Sequence, residues 1–217
     1  MEIKFARQSK GSTLSRYFCK HWGKGFTLGL GKRFVLYSKV ENFLLKRKPM
    51  PELGRKIHQA LIQEVKRRLL QESLPRTRQC LASLTETEIW HRPNENSNSV
   101  GNLVLHLCGN VRQWLISALG QTPDLRTRDA EFAEKGPLPT EQLLELIDKL
   151  ERDLTPVLDQ LRPEDLVRSY TVQGFAETGL SILVHVVEHF SYHVGQITYF
   201  VKAHKNLDTA YYAGHDL

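Results

Sequence analysis

Cysteine is scarce in this sequence. Cys19, Cys80 and Cys108 are the only three, an odd number, and no two of them form a Cys-x-x-Cys pair. That argues against a disulfide framework and suits a reducing, cytoplasmic setting. Long apolar runs are missing too: no stretch approaches the ~18 residues a transmembrane helix needs. There is no internal repeat, no low-complexity tract, and no pattern pointing to a Ser-His-Asp or Cys-His nucleophile. Methionine occurs only at positions 1 and 50.

Acidic residues are nearly absent from the first 49 positions, where twelve Lys or Arg stand against two acids. Residues 50–217 carry eighteen basic and twenty-two acidic groups, so the overall charge of +6 misleads. The larger part is mildly acidic and a poor nucleic-acid binder on electrostatic grounds. The basic extension has scattered glycines and aromatics and no sustained helical period. It lacks the apolar block of a secretory signal. Two readings stand: a basic, disordered arm that touches membrane or nucleic acid, or a mis-assigned start with the domain beginning at Met50.

With 217 residues and 41 % apolar content, the chain fits one domain of residues 50–217 plus this appendage. From Leu53 the pattern turns helical. Leu53, Ile57, Leu61, Val65 and Leu69 recur every four residues, with a kink or break expected at Pro75. Thr85 to Asn98 reads as a loop. Asn98 or Ser99 caps a second helix whose face carries Val100, Leu103, Val104, Leu107, Val111, Trp114 and Leu115. Gly120 and Pro123 end it. A long polar crossover leads to a third helix capped by Thr140, with a kink or restart expected at Pro156. Residues 169–176 are β-branched and aromatic but too few to demand a sheet. Thr178 caps a fourth helix running to about Lys205. The expected fold class is all-α, a four-helix bundle with one long crossover.

The fourth helix places His185, His189 and His193 at successive i, i+4 steps. At about 100° per residue these steps drift only about 40° each, so the three rings point to one side, with Ile182, Val186, Gln196 and Phe200. That side is expected to face the core. Two histidines at this spacing can chelate one ion, and a third ligand must come from another element. His106, on the second helix beside Asn110, is the best candidate. Imidazole suits zinc, nickel, copper and iron. The other reading of such rings is a set of hydrogen-bonded core residues. Cys108 is a packed small residue, and Glu188 either a solvated charge or a group facing the next helix. His58, His91, His204 and His215 lack partners at useful spacing.

Three stretches together resemble the DinB-like superfamily of metal-binding four-helix bundles. They are Asn98-Ser-Val-Gly-Asn-Leu-Val-Leu-His106-Leu, Arg128-Asp-Ala-Glu-Phe132, and His185-Val-Val-Glu-His189-Phe-Ser-Tyr-His193-Val-Gly-Gln-Ile197. The resemblance covers residues 50–217. It implies that His106, His189 and His193 form a metal triad, with His185, Glu188, Asn110 and Gln196 behind the ligands. Zinc or nickel is the first expectation for the ion, iron or manganese the next. Relatives include transferases that use low-molecular-weight thiols. Three function classes follow: a metal-dependent thiol transferase, a metal-dependent hydrolase with Glu188 or His185 as base, and a non-enzymatic metal-binding stress-response module. The expected partners are a small-molecule substrate and, as an option, a second copy of the chain in a homodimer.

Overall fold

A computed structural model of the chain describes residues 52–214. The extension of residues 1–49, both readings of it, and His215 lie outside them. Among the described residues no helix is long and apolar enough to cross a membrane.

Four long helical segments form the bundle. The first is α1 (Glu52–Lys66), which continues through a π-helical segment (Arg67–Ser73) into α2 (Leu74–Ala82). Pro75 therefore does not break it. The wide π turn comes just before the proline, and Leu74 N–H bonds back five residues to Leu69 O. Widening the turn there relieves the clash a proline ring makes with the carbonyl four residues back. Leu53 and Ile57, expected on the core stripe, are 68 % and 59 % exposed, so the first turns of α1 project beyond the core.

A short helix α3 (Glu86–Trp90) lies where a loop was expected. Its start is a capping box: Thr85 accepts from Glu88 N–H and Glu88 reaches back to Thr85 N–H. The second long helix is α4 (Val100–Val111), extended by a π-helical segment (Arg112–Leu119). Ser99 caps it, and Asn102 closes the box. The crossover holds a short helix, α5 (Arg128–Ala133). The third long helix is α6 (Thr140–Gln160). Thr140 is its first residue rather than its cap; Pro139 occupies the cap position without a side-chain bond. No restart occurs at Pro156, which is exposed, as is Arg152 one turn earlier. The carbonyl that the proline leaves unpaired can therefore be hydrated.

After α7 (Pro163–Val167) comes a small antiparallel hairpin, β1 (Ser169–Val172) and β2 (Phe175–Thr178), which the sequence reading had not demanded. Its two-residue turn works because Gln173 and Gly174 both adopt positive φ, 52° and 83°. Thr178 then caps α8 (Gly179–Lys205), the fourth long helix, accepting from Ser181 N–H. The core lies between the four helices, with Leu69, Leu81, Leu107, Leu115, Ile147, Leu154 and Ile182 all at most 1 % exposed. Across the bundle, Arg78 of α2 pairs with Asp148 and Glu151 of α6.

Candidate metal centre

His106, His189 and His193 come together. Each offers a ligand atom, and the three atoms lie within 4.8 Å of one another. Nitrogen ligands held ~2.1 Å from one tetrahedral ion sit about 3.4 Å apart, so the cluster needs to close only by about an ångström. The His106 and His189 Nε2 atoms are already 3.1 Å apart. Helix geometry supplies this convergence. One turn of α8 separates His189 from His193, and α4 packs against the same helix. His106 is buried; His189 and His193 are half-buried, on the flank of α8 rather than squarely in the core as the stripe suggested.

The far side of each ring decides which nitrogen is free. His106 Nδ1 lies 3.0 Å from Glu131 Oε2. Glu131 also accepts from Arg126, Nε to Oε1 at 2.7 Å and Nη2 to Oε2 at 2.8 Å. Burial alone would raise the Glu131 carboxyl, but the bonds from Arg126 and His106 outweigh it and hold it below the ordinary range. An ionised Glu131 can only accept, so the bond to it places the His106 proton on Nδ1 and leaves a lone pair on Nε2; Arg126 Nη2, 3.1 Å from the same nitrogen, donates to Oε2 instead. His193 Nδ1 is likewise 2.7 Å from Gln196 Oε1. Burial and the neighbouring imidazoles push His189 down to about 3, and burial also lowers His193 and His185. At neutral pH these three rings are uncharged, the state that donates to a metal.

The other expected residues fall differently. His185 is outside the converging group; its ring packs 4.0 Å from Trp114 and 5.5 Å from His189. Glu188 is exposed. Asn110 is buried with its Oδ1 unpartnered, and His189 Nδ1, His185 Nε2 and Trp114 Nε1 also lack protein partners. These atoms lie on α4, its π-helical extension and α8, the elements that supply the triad; one more unpartnered atom, His58 Nε2, lies apart on α1. Such clustering fits a centre whose polar groups serve something other than the fold. Imidazole nitrogens converging from two helices are a suitable donor set for zinc or nickel. Cys108 is buried, its thiol pushed up to about 12. His58 is half-buried. His91 and His204 sit together at the surface, their ring centroids 6.3 Å apart, and His204 meets Glu88 at 3.2 Å.

Glu131 and Arg126 were given no role by the sequence. Glu131 lies in the Arg128–Phe132 stretch, the one signal that could have found it. Gly109, one turn from His106, makes room for both: a Cβ there would lie 1.9 Å from Glu131 Oε1 and 2.9 Å from Arg126 Nε. Asn102 holds α5 in place, donating to the carbonyls of Glu131 at 2.9 Å and Glu134 at 2.8 Å.

Residues 56–211 match a family model described as a protein of unknown function, DUF1572. No curated protein matches the chain. Three crystal structures share its fold. A DinB-like protein from Bacillus cereus is 16 % identical with a TM-score of 0.52, over 69 % of this chain and 93 % of that one. A DinB-like protein from Bacillus subtilis is 19 % identical, TM-score 0.52, over 67 % and 94 %. A conserved protein from Enterococcus faecalis is 17 % identical, TM-score 0.55, over 69 % and 97 %.

Proposed function

The chain belongs to the DinB-like helical bundles, in the family described as protein of unknown function DUF1572, and from that premise we propose that it holds one divalent metal ion through His106, His189 and His193 and acts as a transferase using a low-molecular-weight thiol. The observation that carries the metal reading is the convergence of three imidazole ligand atoms within 4.8 Å. Zinc or nickel held there would lower the pKa of a coordinating thiol or water towards neutrality.

The chain's own residues prepare the site. Glu131 fixes the His106 tautomer, Gln196 orients His193, and the buried Arg126 guanidinium keeps Glu131 ionised. Three protein ligands leave a position for a small molecule, as catalytic sites do. A hydrolase that relies on a protein base would need a free carboxylate or imidazole beside the ion. Both Glu131 oxygens are taken by Arg126 and His106, Glu188 is exposed, and His185 packs on Trp114. Cys108 supplies no thiolate at neutral pH, since its thiol is pushed up to about 12. These facts favour a nucleophile brought in as a small thiol.

The test has two stages. Metal analysis of the purified chain should find one divalent ion per chain; His189→Ala and His193→Ala should abolish stoichiometric binding, and His106→Ala should weaken it strongly. Thiol consumption is then followed with a panel of electrophiles, with and without chelator. Metal-dependent consumption is the expected result. A metal-loaded chain that consumes no thiol with any electrophile would sink the transferase reading while leaving the metal site standing.

A further inference from the structure

The face of α8 turned away from the histidines carries a second constellation. Ser191, Gly195 and Lys202 lie about 160–200° round the helix from His193. They border a cleft of about 330 Å³, whose other walls hold Ser73 and Arg76, from the junction of the π-helical segment with α2, and Tyr211, from the segment after α8. That segment is fixed in place. Asn206, at φ 49°, ends α8 in the left-handed conformation, and Gln79 of α2 donates to Thr209 O at 2.8 Å. The Tyr211 hydroxyl meets Thr198 Oγ1 at 2.8 Å and Cys80 Sγ at 3.2 Å. The Arg76 guanidinium lies over the Tyr211 and Tyr212 rings, 4.9 and 5.4 Å from their centroids, which sets its plane.

The charges of this cleft are one-sided. Arg76 and Lys202 are in its wall, and no Asp or Glu is. Arg76 makes its one ion pair among the described residues with Glu72 Oε2 at 4.0 Å, beyond hydrogen-bond distance. Glu72 is engaged more closely by Arg67 and, at 3.5 Å, by Arg68. Lys202 is exposed and takes part in none of the ion pairs among the described residues. The guanidinium fork and the ammonium thus keep donors for something that is not the fold. Ser73 and Ser191 add hydroxyls, and Tyr199, 76 % exposed, adds a ring face at the edge. Over Gly195 the space is open: a Cβ there would meet nothing within 4 Å.

We propose that this cleft binds the phosphate group of a small organic phosphomonoester. A doubly charged group with three terminal oxygens matches a fork, an ammonium and hydroxyls better than a singly charged one does. The volume exceeds what a bare phosphate fills and lies within the size range of small-molecule sites, so the ester's body has room against Tyr199. The proposal does not rest on the metal reading, because none of the three converging histidines lines this cleft.

Three probes separate the parts of the claim: phenyl phosphate, the isosteric but singly charged phenyl sulfate, and inorganic phosphate. Each is titrated by calorimetry, at about pH 7.5 where the ester is mostly dianionic, into the full-length chain stripped of metal and freed of chelator. Phenyl phosphate should bind at submillimolar concentration and phenyl sulfate about tenfold more weakly. Inorganic phosphate should also bind more weakly than the ester, and Tyr199→Ala should close that gap. Lys202→Gln, at an exposed position, should leave the melting temperature unchanged and weaken phenyl phosphate at least about fivefold. Gly195→Glu places a carboxylate in the open space and should abolish binding, whereas Gly195→Gln, of the same size, should retain more of it. Absence of phenyl phosphate binding at millimolar concentration would overturn the proposal. So would binding that ignores both Lys202→Gln and Gly195→Glu, since the anion would then sit elsewhere on the chain. Phenyl sulfate binding as tightly as phenyl phosphate would overturn the choice of a phosphate, and inorganic phosphate binding as tightly would overturn the choice of an ester.

Discussion

An imidazole offers a lone pair from one nitrogen only when the other carries the proton, and the partner on the far side decides which. For His106 that partner is Glu131, and for Glu131 it is Arg126, whose side chain is 3 % exposed. Glu131→Gln keeps the shape but removes the charge that both neighbours use. Metal affinity should fall by roughly 10–100-fold, and the melting temperature should drop because a buried guanidinium loses its counter-charge. Competition against a chromophoric chelator reads the first effect and thermal melts the second; unchanged affinity would mean that Glu131 has no hold on the centre. Gly109→Ala should move affinity the same way, since its methyl would collide with the Glu131 carboxyl. At this scale the histidines were legible because helical spacing converts directly into direction. Glu131 was not, because it comes from the crossover, where no period governs which way a side chain points.

The elements that carry these residues are held by local devices. Asn102 is the clearest. Its side-chain oxygen accepts from Ser99 N–H and from Arg92, and its amide donates to the carbonyls of Glu131 in α5 and of Glu134 just after it. It thus joins the start of α4, which carries His106, to α5, which carries Glu131. Asn102→Ala would leave buried carbonyls unpaired and the cap incomplete, a loss of about 2–3 kcal/mol. Denaturant unfolding should show that loss, and metal affinity should weaken as for Glu131→Gln. Full stability with tight metal would show that α5 is positioned by something else. The long amphipathic helices were readable because each buries one continuous stripe. The departures have local causes. A π turn absorbs Pro75, the capping box at Thr85 makes a single-turn helix, and positive φ at Gln173 and Gly174 closes a hairpin too short to show an alternating pattern.

Over the whole molecule, helices from opposite sides of the crossover, α4 and α8, bring three histidines together, and burial keeps those of α8 uncharged. His189 is pushed down to about 3 by burial and by the neighbouring His193, His106 and His185, and burial lowers His193 and His185 as well. Unfolded imidazoles titrate near ~6.5. Between that value and the depressed folded values the unfolded chain binds more protons than the folded one. Stability contributed by these rings is therefore full above about 6.5 and is lost as pH falls below it. A bound metal adds stability in the same direction, because protons compete for the lone pairs that hold it. The most direct measurement is a set of melting curves from about pH 8 to about pH 5, with and without chelator, for the parent and for His189→Ala/His193→Ala. The parent should melt lower with chelator at pH 8, and that difference should vanish as acid releases the metal and lowers the melting temperature together. The double variant should ignore the chelator and decline less steeply. A parent whose melting temperature is flat across this range and unmoved by chelator would contradict the account, leaving the histidines as ordinary packed residues of the bundle.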